Sequence, residues 1–333
     1  MGTLVGHVAP GMGFLLIGLW HLFNHIKLHA LHPTSYTAPP WFPASKLRHL
    51  ELFLIMAGSA ASVAMELFIG PKSHQPLDPD GTIPSNHLHN FEHSSISLTF
   101  FSYALLSLLL DKYSSRLSSH HHVRAAKYGL TQFLGAVAFG QQLLLFHLHS
   151  ADHMGPEGQY HSLLQLAILV SVITTLMGIG YPKSFMVSFI RSLSIFSQGV
   201  WLVVMGFMLW TPSLIPKGCF MHFEEGHHVV RCSGEESLHR AKSLVNLQFS
   251  WLLIGIAVFG TSLYMGLVLI YGEDQKVEYF SLGLKEFEDD QEDDDQDTDD
   301  VESQKKSEVA ISGTSKSFIE MGKSSFGHID IER

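Results

Sequence analysis

Residues 161–210 read HSLLQLAILVSVITTLMGIGYPKSFMVSFIRSLSIFSQGVWLVVMGFMLW, two long apolar runs that nearly touch at Gly180-Tyr181-Pro182-Lys183. A helix that crosses a hydrocarbon core of ~30 Å needs about 20 mostly apolar residues, because water is absent there and only intra-helical bonds satisfy the backbone. Both runs meet that length. The short gap with its proline predicts a tight helical hairpin.

Five further stretches pass the same test, at 4–26, 48–70, 91–110, 125–147 and 243–271, and with 161–181 and 185–210 they make seven. The connections hold the helix breakers, among them Pro33, Pro39, Pro40 and Pro43, then Pro71, Pro76, Pro79 and Pro84, then Pro156, Pro182, Pro212 and Pro216. One such run fits a buried helix of a soluble protein; seven predict an all-α, polytopic membrane bundle. Its partner is the lipid bilayer. The first run has no Lys or Arg before it and no clear cleavage site, so it is read as a retained helix.

Charge supports this division. Charged residues make up 16% of the chain, against roughly 25% in soluble domains, as a lipid-facing surface requires. Glu286 to Glu302 carries twelve acids and no Lys or Arg, more than the net charge of −10. From 273 to 333 the composition turns to Asp, Glu, Ser and Lys, which predicts a disordered acidic tail following a membrane domain of residues 1–272. Such a tail is able to dock a cytosolic protein partner. No basic stripe or nucleic-acid motif is present, so nucleic acid is not an expected partner. A nucleotide-binding loop and a GxSxG elbow are also missing, which argues against ATP-driven transport.

The Lys and Arg bias orients the spans. The first, third and fifth connections hold Lys27, Lys46, Arg48, Lys112, Arg116, Arg124, Lys127, Lys183 and Arg191, nine residues, against Lys72, Lys217, Arg231, Arg240 and Lys242 in the others. This predicts a lumenal or extracellular N-terminus and a cytosolic C-terminus. Cys219 and Cys232 then share the oxidising side, and a disulfide between them is expected.

Histidine is the unusual residue, at 22 copies. Alternating spans place His7, Glu66, His87, His89, Glu92, His93, His147, His149, Asp152, His153, Glu157 and His161 near the same, outer membrane face. Neutral imidazoles from several helices suit a divalent transition metal such as zinc, with one position left open. His93, His147, His149, His161, His7 and His89 are the candidate ligands, and Glu66 is the candidate catalytic base. His89 to His93 read HNFEH, an H-x-x-E-H pattern whose histidines share one helical face. Polar groups at a membrane boundary also sit there simply as wet interfacial residues. His21, Asn24, His25, His29, His32, His49 and the triplet His120 to His122 are read mostly as such interfacial or loop residues, with cytoplasmic ion entry as the alternative. Glu51, Gln132, Gln141, Gln142, Gln165, Gln198, Asn246 and Gln248 are polar residues inside spans, and some of them must face the bundle interior. The glycine pairs Gly13 and Gly18, Gly135 and Gly140, and Gly255 and Gly260 permit close helix contact. Trp20, Trp201, Trp210 and Trp251 are read as interface anchors.

The segments GHVAPGMGFLLIGLW, LRHLELFLIMAGSAASVAMELF, NFEHSSISLTFF, LLLFHLHSADHMGPEGQYHSLLQ and SQGVWLVVMGFMLW, in that order, resemble the transmembrane protein 45 family, in a plant-type form. The resemblance covers roughly residues 1 to 270. It implies a seven-helix membrane fold and no established activity, and its matching positions include His7, Glu51, Glu66, His93, His147, His149, His161, Gln198 and Trp201. This chain has Glu92 where animal members carry Gln or His, which weakens HNFEH as a family motif. It reads Trp251-Leu252 where they carry Trp-His, which leaves the seventh helix without a ligand.

The expected function is a metal site near the outer face, used for hydrolysis of a lipid-like substrate by metal-activated water. An ion, proton or metal transporter and a non-catalytic scaffold acting through the tail are the alternatives.

Overall fold

The computed structural model describes residues 3–70, 75–117, 121–148, 155–224 and 227–292. Its helices are α1 (Leu4–Leu31), α2 (Leu50–Ala64), α3 (Leu88–Leu117), α4 (His121–His147), α5 (Pro156–Gly180), α6 (Phe185–Trp210) and α7 (Glu235–Glu292), with strands β1 (Cys219–Glu224) and β2 (His227–Cys232) before α7. Among the described residues seven helical segments are long and apolar enough to cross a membrane. The protein is an integral, multi-pass membrane protein.

Local chemistry sets the helix ends. The Thr3 hydroxyl accepts from the Gly6 amide at 3.0 Å and caps α1. At the other end His32 precedes Pro33, whose ring disfavours the helical conformation in the residue before it. Pro156 opens α5 at a position where its missing amide costs nothing. Between α5 and α6 the expected hairpin is present: Tyr181 N donates to the Met177 carbonyl at 2.8 Å, and the Ser184 side chain caps α6.

Helices neighbouring in sequence are neighbours in space from α2 to α6, and α6 returns to lie along α1 in the most extensive contact of the fold. With α1 also touching α2, six helices close a ring in chain order. α7 lies outside it: Leu267 packs on Leu22 and Ile26 of α1, and Phe249 on Trp201 of α6. The α1/α6 seam is close because Gly18 and Gly199 have no side chain; a Cβ on Gly18 would overlap the Phe196 backbone, and one on Gly199 the Leu15 backbone. In each glycine pair expected from sequence, one member faces a neighbour (Gly18, Gly135, Gly260) and the other open space (Gly13, Gly140, Gly255). Five residues turn a helix by about 140° beyond a full circle, so both cannot face one partner.

The distribution of polarity is that of a membrane protein. Large apolar residues such as Leu16, Leu54, Phe133, Leu166 and Leu176 point outward, while Ser171, Ser192, Gln142 and Gln198 are buried between helices. Trp201 corrects the reading as an interface anchor, since it is buried and its indole donates to the Tyr160 carbonyl at 2.9 Å. Trp251, by contrast, is largely exposed.

Strands β1 and β2 form an antiparallel hairpin, whereas the sequence reading left this stretch as a polar loop. Cys219 pairs with Cys232 across it, and the two form the expected disulfide. Gly218, with φ of +88°, takes the left-handed conformation that leads into β1, and a Cβ there would also strike Ser237. Val229 and Val230 are buried, and Val230 joins the core cluster that holds Tyr160 and Leu164 of α5.

The chain divides into two units, Met1–Ser281 and Leu282–Arg333. The tail expected from residue 273 begins inside α7, and its residues 293–333 lie outside the described residues.

Candidate functional site

At the end of the ring near the hairpin, α1 supplies His7 and α5 supplies Glu157 and His161. Glu157 and His161 are four residues apart, one helical turn, so both side chains lie on the same face of α5. The ligand atoms of His7, Glu157 and His161 all lie within 4.8 Å of one another. Among the described residues they are the one group of three His, Cys, Asp or Glu side chains arranged in this way. Both histidines are buried and Glu157 is half-buried.

The ring of His7 is fixed from two sides. Its plane stacks on Trp210 with centroids 4.5 Å apart, and Nδ1 lies 3.1 Å from the Thr3 carbonyl oxygen. A carbonyl only accepts, so Nδ1 carries the proton and donates. Nε2 of the neutral ring is then a bare lone pair, the state in which imidazole binds a metal. His161 stacks at 5.9 Å from His7 and packs beside Phe146 at 5.5 Å.

Next to this group is Glu66. The last turn of α2 widens into a π-helix, Met65–Ile69, closed by the Gly70 amide on the Met65 carbonyl at 2.7 Å. Single π turns inside helices are frequent at functional sites, because the extra residue re-aims the side chains around it. Glu66 is buried here, accepts from Asn90 Nδ2 at 2.7 Å, and has His93 Nδ1 at 3.5 Å from its other oxygen. Glu66 and His93 are near enough to His7 to act on it electrostatically.

The expected site residues therefore divide. His7 and His161 come together, with Glu157 as the third group, a residue that the sequence reading placed on this face without making it a ligand. His93 pairs with Glu66 beside them. His89 contacts His93 edge to face at 6.5 Å. His147 is exposed, apart from the three-residue group, and its Nδ1 donates to Gln165 Oε1 at 3.2 Å. His149 lies outside the described residues, as do Asp152 and His153. From HNFEH, Asn90 and His93 engage Glu66, so the motif works through its second and fifth residues.

The opposite end of the ring overturns a second expectation. His21 and His25, read as interfacial, are buried in the bundle with Glu51 and Arg191. Glu51 accepts from His21 Nε2 at 2.7 Å, Trp20 Nε1 at 3.1 Å and the Phe42 amide at 2.9 Å. Arg191, counted among the charges of the fifth connection, lies inside α6 and is 4% exposed. Without it the bias is eight residues against five. Around this cluster Tyr36 is buried with its hydroxyl on Ser188, and burial pushes its phenol up to about 12 despite that bond. Nearby, Asp111 gathers Lys127 at 2.8 Å, His49 at 2.9 Å and Arg48 at 3.2 Å and ties α3, α4 and the start of α2 together.

A family model described as "Family of unknown function (DUF716)" matches residues 128–265, from α4 into α7. Transmembrane epididymal protein 1A of Mus musculus is similar, with 25% identity over 222 residues, 64% of this chain and 68% of that protein. The family match takes in Glu157, His161 and Arg191 and leaves out His7, Glu51 and Glu66.

Proposed function

We propose that the hairpin end of this membrane protein binds a divalent transition metal, most naturally zinc, on His7, Glu157 and His161. The carrying observation is the approach of their ligand atoms to within 4.8 Å, with His7 Nδ1 committed to the Thr3 carbonyl and Nε2 left free. The residues fit the ion: two imidazoles and one carboxylate are a donor set of catalytic zinc sites, which keep a further position open. When bound, the metal would supply a nucleophilic hydroxide near neutral pH, suited to hydrolysis of a lipid ester or amide. Glu66, held by Asn90 and His93, is the proton acceptor beside it. Here we place the hairpin on the lumenal or extracellular side, which suits its disulfide. The C-terminal tail is then cytosolic, where its acidic run is available to a protein partner. The transmembrane protein 45 resemblance is the finer family reading.

Elemental analysis of the purified full chain tests the metal. About one zinc per chain is expected, lost in His161→Ala and retained in His147→Ala. Absence of metal from wild-type protein prepared with zinc present, or equal metal in wild type and His161→Ala, overturns the assignment. Ion or proton transport is the second reading, and the buried charges at the opposite end favour it.

A further inference from the structure

The cluster at the end away from the hairpin fixes its own proton positions. The Ser188 hydroxyl donates to the Ser184 carbonyl at 3.0 Å, so Ser188 Oγ is free to accept from the Tyr36 hydroxyl at 2.8 Å. With its hydrogen used, the Tyr36 oxygen accepts from His25 Nδ1 at 2.9 Å. His25 Nε2 then has only a lone pair, and the Arg191 guanidinium faces it at 3.4 Å while its other arm donates to Gln132 Oε1 at 2.7 Å. Both nitrogens of His25 are occupied. Arg191 is always a donor, so His25 has no place for another proton.

His21 differs. Its Nε2 faces Glu51 Oε1 at 2.7 Å, and the Glu51 oxygens, which also face the Trp20 indole and the Phe42 amide, act as acceptors. The Nδ1 atom is buried and has no hydrogen-bond partner. An imidazole that donates from one nitrogen to a carboxylate and keeps a bare lone pair on the other is the arrangement by which a His-carboxylate pair accepts protons.

We propose that His21, oriented by Glu51, is a reversible proton-binding site inside the membrane domain, distinct from the metal site at the other end. The ligand is a proton drawn from the aqueous phase: it bonds to Nδ1, the Nε2–H bond remains, and the resulting imidazolium is neutralised by Glu51. No cavity is needed for such a ligand, which suits a ring packed edge-on against Phe42 and His25. Glu51 on α2 and His25 on α1 face it directly, Arg191 on α6 acts on His25 and on Glu51, and Tyr103 on α3 and Tyr36 between α1 and α2 act in turn on Arg191. Loading the site puts a positive charge on α1 next to His25, the ring that faces Arg191 of α6 at 3.4 Å across the most extensive contact in the fold.

Nitrogen NMR of histidine-labelled full chain in lipid nanodiscs tests this between about pH 5 and 9. The expected result is one imidazole protonated on Nε2 throughout whose Nδ1 gains its proton reversibly within that range. Glu51→Gln should lower the midpoint by at least one pH unit, a tenfold loss of proton affinity. An assigned His21 that keeps one protonation state across the range overturns the proposal, and so does a midpoint that Glu51→Gln leaves in place. The wild-type titration stands on its own if the variant does not fold.

Discussion

Single residues carry the chemistry of this protein, and Glu51 shows how much depends on one of them. Its two oxygens satisfy three N–H groups, two buried and one part-buried, from α1 and the following loop. Replacement by alanine strands all three, and a loss of roughly 3–5 kcal/mol is expected, the usual cost of removing one partner of a buried pair. Glu51→Gln, which keeps an acceptor, should cost less; reversible unfolding in mixed micelles orders the two. Tyr36 gives a pH signature. Its folded value of about 12 stands above the ordinary 10.0, so its contribution is complete below pH 10 and is lost as pH rises through 12. Tyr36→Phe should therefore show a shallower loss of stability between about pH 10 and 12 than wild type. Neither residue was identified as a cluster member from sequence, and the reason is geometric. Position along an apolar run gives depth in the membrane; it does not give the side of the helix that faces the core. His21 and His25 were placed by depth alone, and Arg191 was assigned to a connection because six residues separate it from the start of its run.

Helices were legible because length and apolarity are one-dimensional quantities. All seven expected runs correspond to helices, most of them extended by polar turns, as at Lys27–Leu31 and Pro156–Tyr160, which hydropathy does not count. The π-helical turn at Met65–Ile69 was not legible, since one inserted residue changes the phase of a helix and leaves its composition unchanged. The hairpin was missed because two six-residue strands flanking a short turn are too brief for an alternating pattern to stand out. Close contact between α1 and α6 makes a prediction at this scale. Gly199→Ala drives a methyl into the Leu15 backbone, which cannot yield as a side chain would, and should cost about 1–3 kcal/mol or more. Gly13→Ala, toward open space, should change stability by less than about 0.5 kcal/mol in the same unfolding assay.

At the scale of the molecule, ring closure turns a list of distant residues into two sites. His7 lies 154 positions from His161, and Glu51 lies 140 from Arg191, yet the return of α6 along α1 brings each pair to one end. Alternate helix ends share a face, which is why His7 and His161 of the three-residue group were both expected on one side. The same rule also gathered His89, His147 and His149 on that face, because sharing a face is a weaker condition than sharing a point. A chain lacking residues 293–333 should keep the full zinc content, as every ligand lies within Met1–Ser281.

X-ray absorption at the zinc edge on the purified full chain reaches the central claim most directly. The account predicts about one zinc per chain with two imidazole nitrogens at about 2.0–2.1 Å and a carboxylate oxygen at similar range. One imidazole should be lost in His161→Ala. A zinc shell made only of oxygen, or one unchanged by that substitution, would contradict it.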